Sequence, residues 1–165
     1  MEKIHDVLII GAGVTGTMIA RELSKYRLDV VILDKNNDAG DATSSANSAI
    51  VHSGYDPEPG SFKAKFNVLG NAKYPELVKQ LDVPFEQCGS LTIATEDEQL
   101  EVLKELAERS KINGVEVKLL NKEEVLKMEP NINPEVKGAY LRLPLVLSTH
   151  LILSFMRWKM RLIMV

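Results

Sequence analysis

The sequence predicts an α/β fold that opens with a βαβ unit and a parallel sheet. Three observations carry this. Val7–Ile10 is a short, continuous apolar run closed by Gly11. A helical stretch follows, and then a second β-branched run, Asp29–Leu33. Two buried runs joined through a helix within about 30 residues require a crossover connection, which places them side by side and parallel.

The elements follow in order. Val14–Tyr26 is a helix, with Met18, Ile19, Ala20 and Leu23 available to face the sheet. Lys35–Ser48 is polar and rich in Asn, Asp, Ser and Ala, and reads as a loop or a short helical start. Ser61 can cap a helix whose apolar face is Phe62, Phe66, Leu69, Leu77, Val78 and Leu81, with a kink or division at Pro75. Leu91–Ala94 is a strand. Thr95 and Glu98 form a Thr-x-x-Glu capping box for a helix to about Asn113, which has a stripe of Leu100, Leu103, Leu106 and Ala107 and ends at Gly114. Val115–Leu120 is a further strand, and Asn121 with Glu124 caps a short helix that stops before Pro130.

Composition bounds the function. The chain has 165 residues, 45% of them hydrophobic and 26% charged, as in an ordinary soluble domain. The net charge of −3 provides no basic field for nucleic acid or an anionic membrane. The single cysteine, Cys88, cannot form an internal disulfide and reads as a small buried hydrophobe. A reducing, cytoplasmic setting is expected, because the first residues also lack the pattern of a secretion signal. No metal-ligand spacing is present. His5 reads as a strand-edge residue, and the acidic stretches 96–108 and 122–129 read as solvated helix faces.

The composition changes near Tyr140. Residues 141–165 carry four basic residues and no acid, giving +4, against 16 − 23 = −7 for residues 1–140. The uncharged run Leu143–Met156 has 14 residues, too short for a membrane span of roughly 20. A basic interfacial helix after residue 150 is one reading, which would make the protein membrane-peripheral. A poorly packing tail is the plainer one.

Gly11-Ala-Gly13-Val-Thr-Gly16 follows a strand and opens a helix. Gly11 permits the tight turn, Gly13 lets backbone approach a pyrophosphate, and Gly16 lets helix and strand pack closely. Free N–H groups at the helix N-terminus favour phosphate. Asp34, eighteen residues after Gly16 and at the end of the second strand, is placed to accept from ribose hydroxyls and to repel a 2′-phosphate. Together they predict dinucleotide binding; the alternative is a tight turn with a solvated acid. The glycines leave NAD and FAD both open. The segment from Thr43 through Ser44, Ser45, Asn47 and Ser48 to His52 and Gly54 offers small donors beside a bulky ligand. By composition alone it is equally an ordinary polar loop with a half-buried histidine.

The runs IIGAGVTGTMIARELSKYRLDVVILDK, TSSANSAIVHSGYDPEPGSFKAKFNVLGNAKYPEL and CGSLTIA resemble the N-terminal part of FAD-dependent glycerol-3-phosphate dehydrogenases, within the D-amino-acid-oxidase-like flavoprotein superfamily. The likeness covers roughly residues 4–140. It implies a Rossmann-like FAD-binding fold, incomplete, with the start of a β-rich substrate-binding part. Residues 1–83 would be the FAD-binding part, 84–140 the start of the substrate-binding part, and 141–165 an anomalous tail.

It also implies that Gly11, Gly13, Gly16 and Asp34 hold the ADP half of FAD, and that Thr43, Ser44, Ser45, Asn47 and Ser48 run along the pyrophosphate and flavin. His52 would then stand beside the flavin as a proton acceptor or a hydrogen-bond donor. The expected reaction is oxidation of a small anionic substrate, sn-glycerol 3-phosphate to dihydroxyacetone phosphate, with the electron acceptor open. The alternatives are a related 2-hydroxy-acid or amino-acid oxidase, an NAD-linked dehydrogenase, and a non-catalytic dinucleotide-binding fragment. Family members have a second half that returns to the FAD sheet, so this chain is expected to be inactive alone.

After Gly138-Ala-Tyr140 the family pattern resembles Thr-Pro-Thr-Ala-Gly-Ile-Val, whereas this chain reads Leu141-Arg-Leu-Pro-Leu-Val-Leu147. One set of codons for the latter, read from its third base, spells the former. The expectation is a frame-shifted ending.

Overall fold

The computed structural model describes residues 4–142, together with the backbone of 146–147 and 162–164. It divides into two compact units: residues 1–49, 78–84 and 148–165 form the first, and 50–77 with 85–147 form the second.

The first unit holds β1 (Val7–Ile10), α1 (Val14–Leu23) and β2 (Val30–Asp34). β1 and β2 pair in parallel from Val7 opposite Val30 to Ile10 opposite Leu33, as the two apolar runs predict. Helix and sheet bury Ile9, Ala12, Ala20, Ile32 and Ala39 together, with Val7, Leu23 and Val30 packed against them. α1 stops at Leu23 rather than Tyr26. Ser24 Oγ donates to the Arg21 carbonyl at 2.7 Å and Tyr26 N to that of Leu23 at 3.0 Å, so a turn satisfies the last carbonyls.

In the second unit, β3 (Ile50–Val51) and β4 (Glu86–Gln87) flank β8 (Val146–Leu147) antiparallel. A second antiparallel sheet has the order β5 (Ser90–Ala94), β7 (Gly138–Arg142), β6 (Lys118–Asn121). Its two faces bury different helices. α3 (Asp97–Ile112) packs through Leu103 and Ala107 on Ala94 and Tyr140. α4 (Lys122–Met128) packs through Val125 on Leu120, Val136, Ala139 and Leu141. Alternate residues of β7 therefore serve opposite layers, and all five are buried.

Local sequence signals resolve unevenly. The Asn121–Glu124 box forms: Glu124 N donates to Asn121 Oδ1 at 2.9 Å and Asn121 N to Glu124 Oε2 at 3.0 Å. For α3 the cap moves one residue on. Glu96 is the N-cap, and Gln99 Oε1 accepts from the N–H groups of both Thr95 and Glu96, at 2.8 and 3.3 Å. The expected strand at Val115 begins only at Lys118. Val115 N instead donates to Ser110 O at 2.8 Å and Gly114 N to Lys111 O at 3.1 Å, with Gly114 at φ +74°, so these residues close α3 in a Schellman turn.

α2 (Phe62–Leu81) is undivided at Pro75: only the Asn71 carbonyl loses its i+4 donor, and a 20-residue helix absorbs that loss. Ser61 Oγ accepts from Ala64 N at 3.1 Å, as expected of a cap. The packed face runs through Ala64, Val68, Asn71, Leu77, Val78 and Leu81. Phe62 and Phe66 are instead 78% and 60% exposed, and their rings stack at 6.1 Å. The packed side at this end carries Ala64 and Val68, with Gly54 of a neighbouring loop lying directly against Val68. Cys88 is exposed rather than buried; it stands in the turn before β5, where Gly89 takes φ +79°.

The tail is more regular than its composition suggests. Leu141 and Arg142 continue β7, Val146–Leu147 form β8, and β9 (Leu162–Met164) pairs in parallel with β2. The remainder of the expected interfacial helix lies outside the described residues. Among the described residues, no helix is long and apolar enough to cross a membrane, and no His, Cys, Asp and Glu cluster could hold a metal ion.

Leu103→Ala should therefore lower stability by about 2–5 kcal/mol, whereas Phe66→Ala should change it by no more than about 0.5 kcal/mol. Urea unfolding followed by circular dichroism measures both.

Candidate functional site

The end of β1 and the start of α1 form the turn that the three glycines predict. Gly11 takes φ +104°, a conformation that favours glycine, and its N–H donates to Leu33 O at 2.7 Å. Gly16 faces it across the turn. A Cβ on Gly16 would lie 2.0 Å from the Gly11 carbonyl oxygen and 3.3 Å from Ile9 Cγ2. No side chain fits there, so close packing of helix on strand depends on this glycine.

Asp34 closes the turn from the second strand. Its Oδ2 accepts from Ala12 N at 2.6 Å and its Oδ1 from Asn36 N at 2.9 Å. The Ala12 and Asn36 N–H groups hold the carboxyl below the ordinary aspartate range. Asn36 is a site residue that sequence reading missed. Its side chain donates to Asp41 O at 2.6 Å and fixes the start of the loop. An Asn two residues after a strand-end acid is a recognisable turn signal.

Of the loop residues expected at the site, Ser44 reaches the turn. Its Oγ accepts from Val14 N at 3.1 Å and lies 3.2 Å from where a Gly13 Cβ would stand. It supplies the first N–H of α1 with a partner that the N-cap, Gly13, cannot offer. Asn47 organises its own loop, donating to Ser44 O at 2.8 Å and accepting from Ala49 N at 2.8 Å, with Ala49 at φ +57°. Ser45 Oγ donates to Ala42 O at 2.9 Å. Thr43 and Ser48 are exposed. His52 belongs to the second unit, just after β3, and its side chain is exposed rather than half-buried. His5 pairs with Asp29 at 3.2 Å beside β1, consistent with an edge role.

The turn suits a diphosphate-bearing group. Nothing lies within 4 Å of the position a Gly11 Cβ would take, so backbone is open to approach where the α1 dipole is positive. Asp34 is ionised and acceptor-only, which suits hydroxyl donors.

Because the Asp34 pKa is depressed on folding, its ionised form stabilises the turn at every pH above the ordinary aspartate value of 3.8. That contribution is lost as the pH falls through the lower, folded value. Asp34→Asn should thus be less stable than the parent at neutral pH, with the difference closing below about pH 3.8; denaturation midpoints across pH 2.5–7 would measure this. Gly16→Ala should cost about 1–3 kcal/mol at any pH, through overpacking against Gly11.

Comparison with known proteins agrees with this geometry. The FAD dependent oxidoreductase family matches residues 6–146. A glycerol 3-phosphate dehydrogenase of Caloramator mitchellensis is 52% identical over 137 residues, covering 82% of this chain and 28% of that protein. A glycerol 3-phosphate oxidase of Mycoplasma pneumoniae is 41% identical over 138 residues, 81% of this chain and 36% of its own length. The dithionite-reduced structure of L-alpha-glycerophosphate oxidase from Mycoplasma pneumoniae, with FAD bound, superposes with a TM-score of 0.88 at 31% identity, over 99% of this chain and 45% of that one. The chain thus spans well under half the length of these relatives. With its βαβ start, its glycine turn and its strand-end Asp34, it belongs to the FAD-dependent oxidoreductase family.

Proposed function

We propose that this chain carries the FAD-binding part, and the start of the substrate-binding part, of an enzyme that oxidises sn-glycerol 3-phosphate to dihydroxyacetone phosphate. The observation that carries the reading is the open Gly11 turn closed by an ionised Asp34, in a chain 52% identical to a glycerol 3-phosphate dehydrogenase. On this reading residues 1–83 serve the cofactor and 84–140 begin the part that meets substrate.

The roles follow from chemistry. Gly11, Gly13, Gly16 and the first N–H groups of α1 hold the pyrophosphate. Asp34 accepts from the adenosine ribose with the lone pairs that Ala12 and Asn36 leave free, and its charge disfavours a 2′-phosphate. Thr43, Ser44, Ser45, Asn47 and Ser48 border the cofactor with small hydroxyl and amide groups. FAD, when bound, supplies a two-electron acceptor. Oxidising the secondary alcohol removes a hydride from carbon and a proton from oxygen. His52 accepts that proton at an imidazole nitrogen, because a neutral imidazole carries one acceptor nitrogen and the exposed side chain can meet a substrate. The substrate is small and anionic; nucleic acid and a metal have no part in this scheme.

Two measurements test it. His52→Ala in the FAD-loaded enzyme should slow flavin reduction by glycerol 3-phosphate ~10²–10⁴-fold, with a smaller change in substrate binding. Stopped-flow reduction at the parental rate would remove His52 from the chemistry. Asp34→Ala should weaken FAD binding on the order of tenfold, the scale of a lost charge-assisted hydrogen bond. Equal FAD affinity in titrations of parent and variant would overturn the ribose assignment.

A further inference from the structure

The segment His52–Pro57 has no regular secondary structure; Tyr55 anchors its middle, its ring 5.0 Å from that of Tyr140 and its hydroxyl 3.4 Å from Thr92 Oγ1. Ser53 is 2% exposed, yet its Oγ has no partner among the described residues. The rest of the segment is held through its carbonyls, by side chains far away in sequence. Asn113 Nδ2 donates to Gly54 O at 3.0 Å and to Pro57 O at 2.9 Å. Arg109 Nη1 donates to Asp56 O at 3.0 Å. Arg109 and Asn113 stand four residues apart and so share one face at the end of α3. Asn71 Nδ2, on α2, donates to His52 O at 3.4 Å.

The opposite side of the segment is fixed by contact. Gly54 takes φ +89°, and a Cβ there would lie 2.7 Å from Val68 Cγ2 and 3.1 Å from Val68 N. Backbone therefore presses directly on α2. Ser53 and Gly54 are buried, Gly54 against α2, whereas His52 next to them is exposed.

From this we infer that Asn113 is a positioning residue: by bridging the Gly54 and Pro57 carbonyls it fixes the backbone of the 52–57 segment, and through it the direction of His52. Its own backbone is well placed for the task. It is the C-cap of α3, and the Schellman turn through Gly114 and Val115 locks it against the helix end. One amide satisfying two buried carbonyls closes a short loop at both ends, which a single hydrogen bond could not do. The consequence for catalysis rests on the reading of His52 as the proton acceptor; the clamp does not.

The test uses Asn113→Asp, nearly isosteric but without the donor, and Asn113→Ala, which removes the amide without adding an acid at the α3 C-terminus. In the 165-residue chain, heteronuclear NOE values at Ser53–Asp56 should fall in both variants, while those of Leu103, Ala107 and Tyr140 stay at parental values. Unchanged values at Ser53–Asp56 would overturn the clamp, and so would equal loosening of the whole sheet.

In the FAD-loaded enzyme, each variant should slow flavin reduction on the order of 10- to 100-fold, with KM little changed. In a His52→Gln background it should add nothing, because the two residues act through one geometry. An equal loss with and without His52 would show that Asn113 acts elsewhere, and would overturn its role in directing the histidine. If His52→Gln alone leaves flavin reduction at the parental rate, the proton-acceptor reading fails, and the NOE values alone decide the clamp.

Discussion

The hydrogen bond from Ala12 N to Asp34 Oδ2 is the constraint on which the first unit depends. It ties the turn after β1 to the end of β2, so the glycine loop and the acid are set by one contact. Gly16 makes that contact possible, since any Cβ there would push α1 off the turn. Asn36 N takes the other carboxylate oxygen. A carboxylate has about four lone-pair sites, so these two bonds do not exhaust its acceptor capacity. The same two backbone bonds that shape the loop keep Asp34 ionised. On the proposed reading, structure and recognition thus draw on one group, and a neutral substitute would disturb both.

The second unit rests on β7. Its central position between β5 and β6 buries both of its faces, and the alternation Gly138, Tyr140, Arg142 against Ala139, Leu141 sorts α3 from α4. Tyr140 fills the α3 side, its ring 5.0 Å from that of Tyr55, and burial pushes its hydroxyl pKa up. Arg142 follows on the same face, because the pleat leaves it no other. It is buried, its Nε is without a partner among the described residues, and burial pushes its pKa down. The change in composition at Tyr140 therefore falls inside a strand rather than at a boundary. What the sequence signals there appears as a cation in an apolar layer.

Legibility in the sequence followed the range of the interactions. The βαβ start, the Gly11–Gly16 turn, Asp34 and the Asn121–Glu124 cap are set by residues within a few positions or by one simple crossover. Each could be read directly. The α2 face could not. Periodicity offers Phe62, Phe66 and Leu69 as readily as Ala64, Val68 and Asn71, and the choice is made by Gly54, a loop residue whose approach excludes bulk. Cys88 was misjudged for a related reason: hydrophobicity argued for burial, whereas its place before Gly89 in a turn put it outside. The short strands β3, β4 and β8 owe their pairing to partners 59 to 97 residues apart, such as Ile50 with Leu147 and Glu86 with Leu147, and two-residue runs carry no period to detect. The packing units also group residues 50–77 with 85–147, for the same long-range reason.

Two neighbouring polar stretches that look alike in composition are held in opposite ways. Residues 43–48 are organised from within, by Asn47 and Ser45 bonding to carbonyls three or four residues away. Residues 52–57 are tied to the rest of the second unit, by side chains from α2 and α3 that bind their carbonyls and by Tyr55 packed on Tyr140. Such a segment cannot shift without breaking contacts on two helices. On the proposed reading residues 43–48 border a large cofactor, and a loop that settles around a foreign shape favours the first arrangement. Directing one reactive side chain favours the second, because error in its position acts directly on rate. The positive φ of Ala49, just before β3, marks the point where one regime gives way to the other.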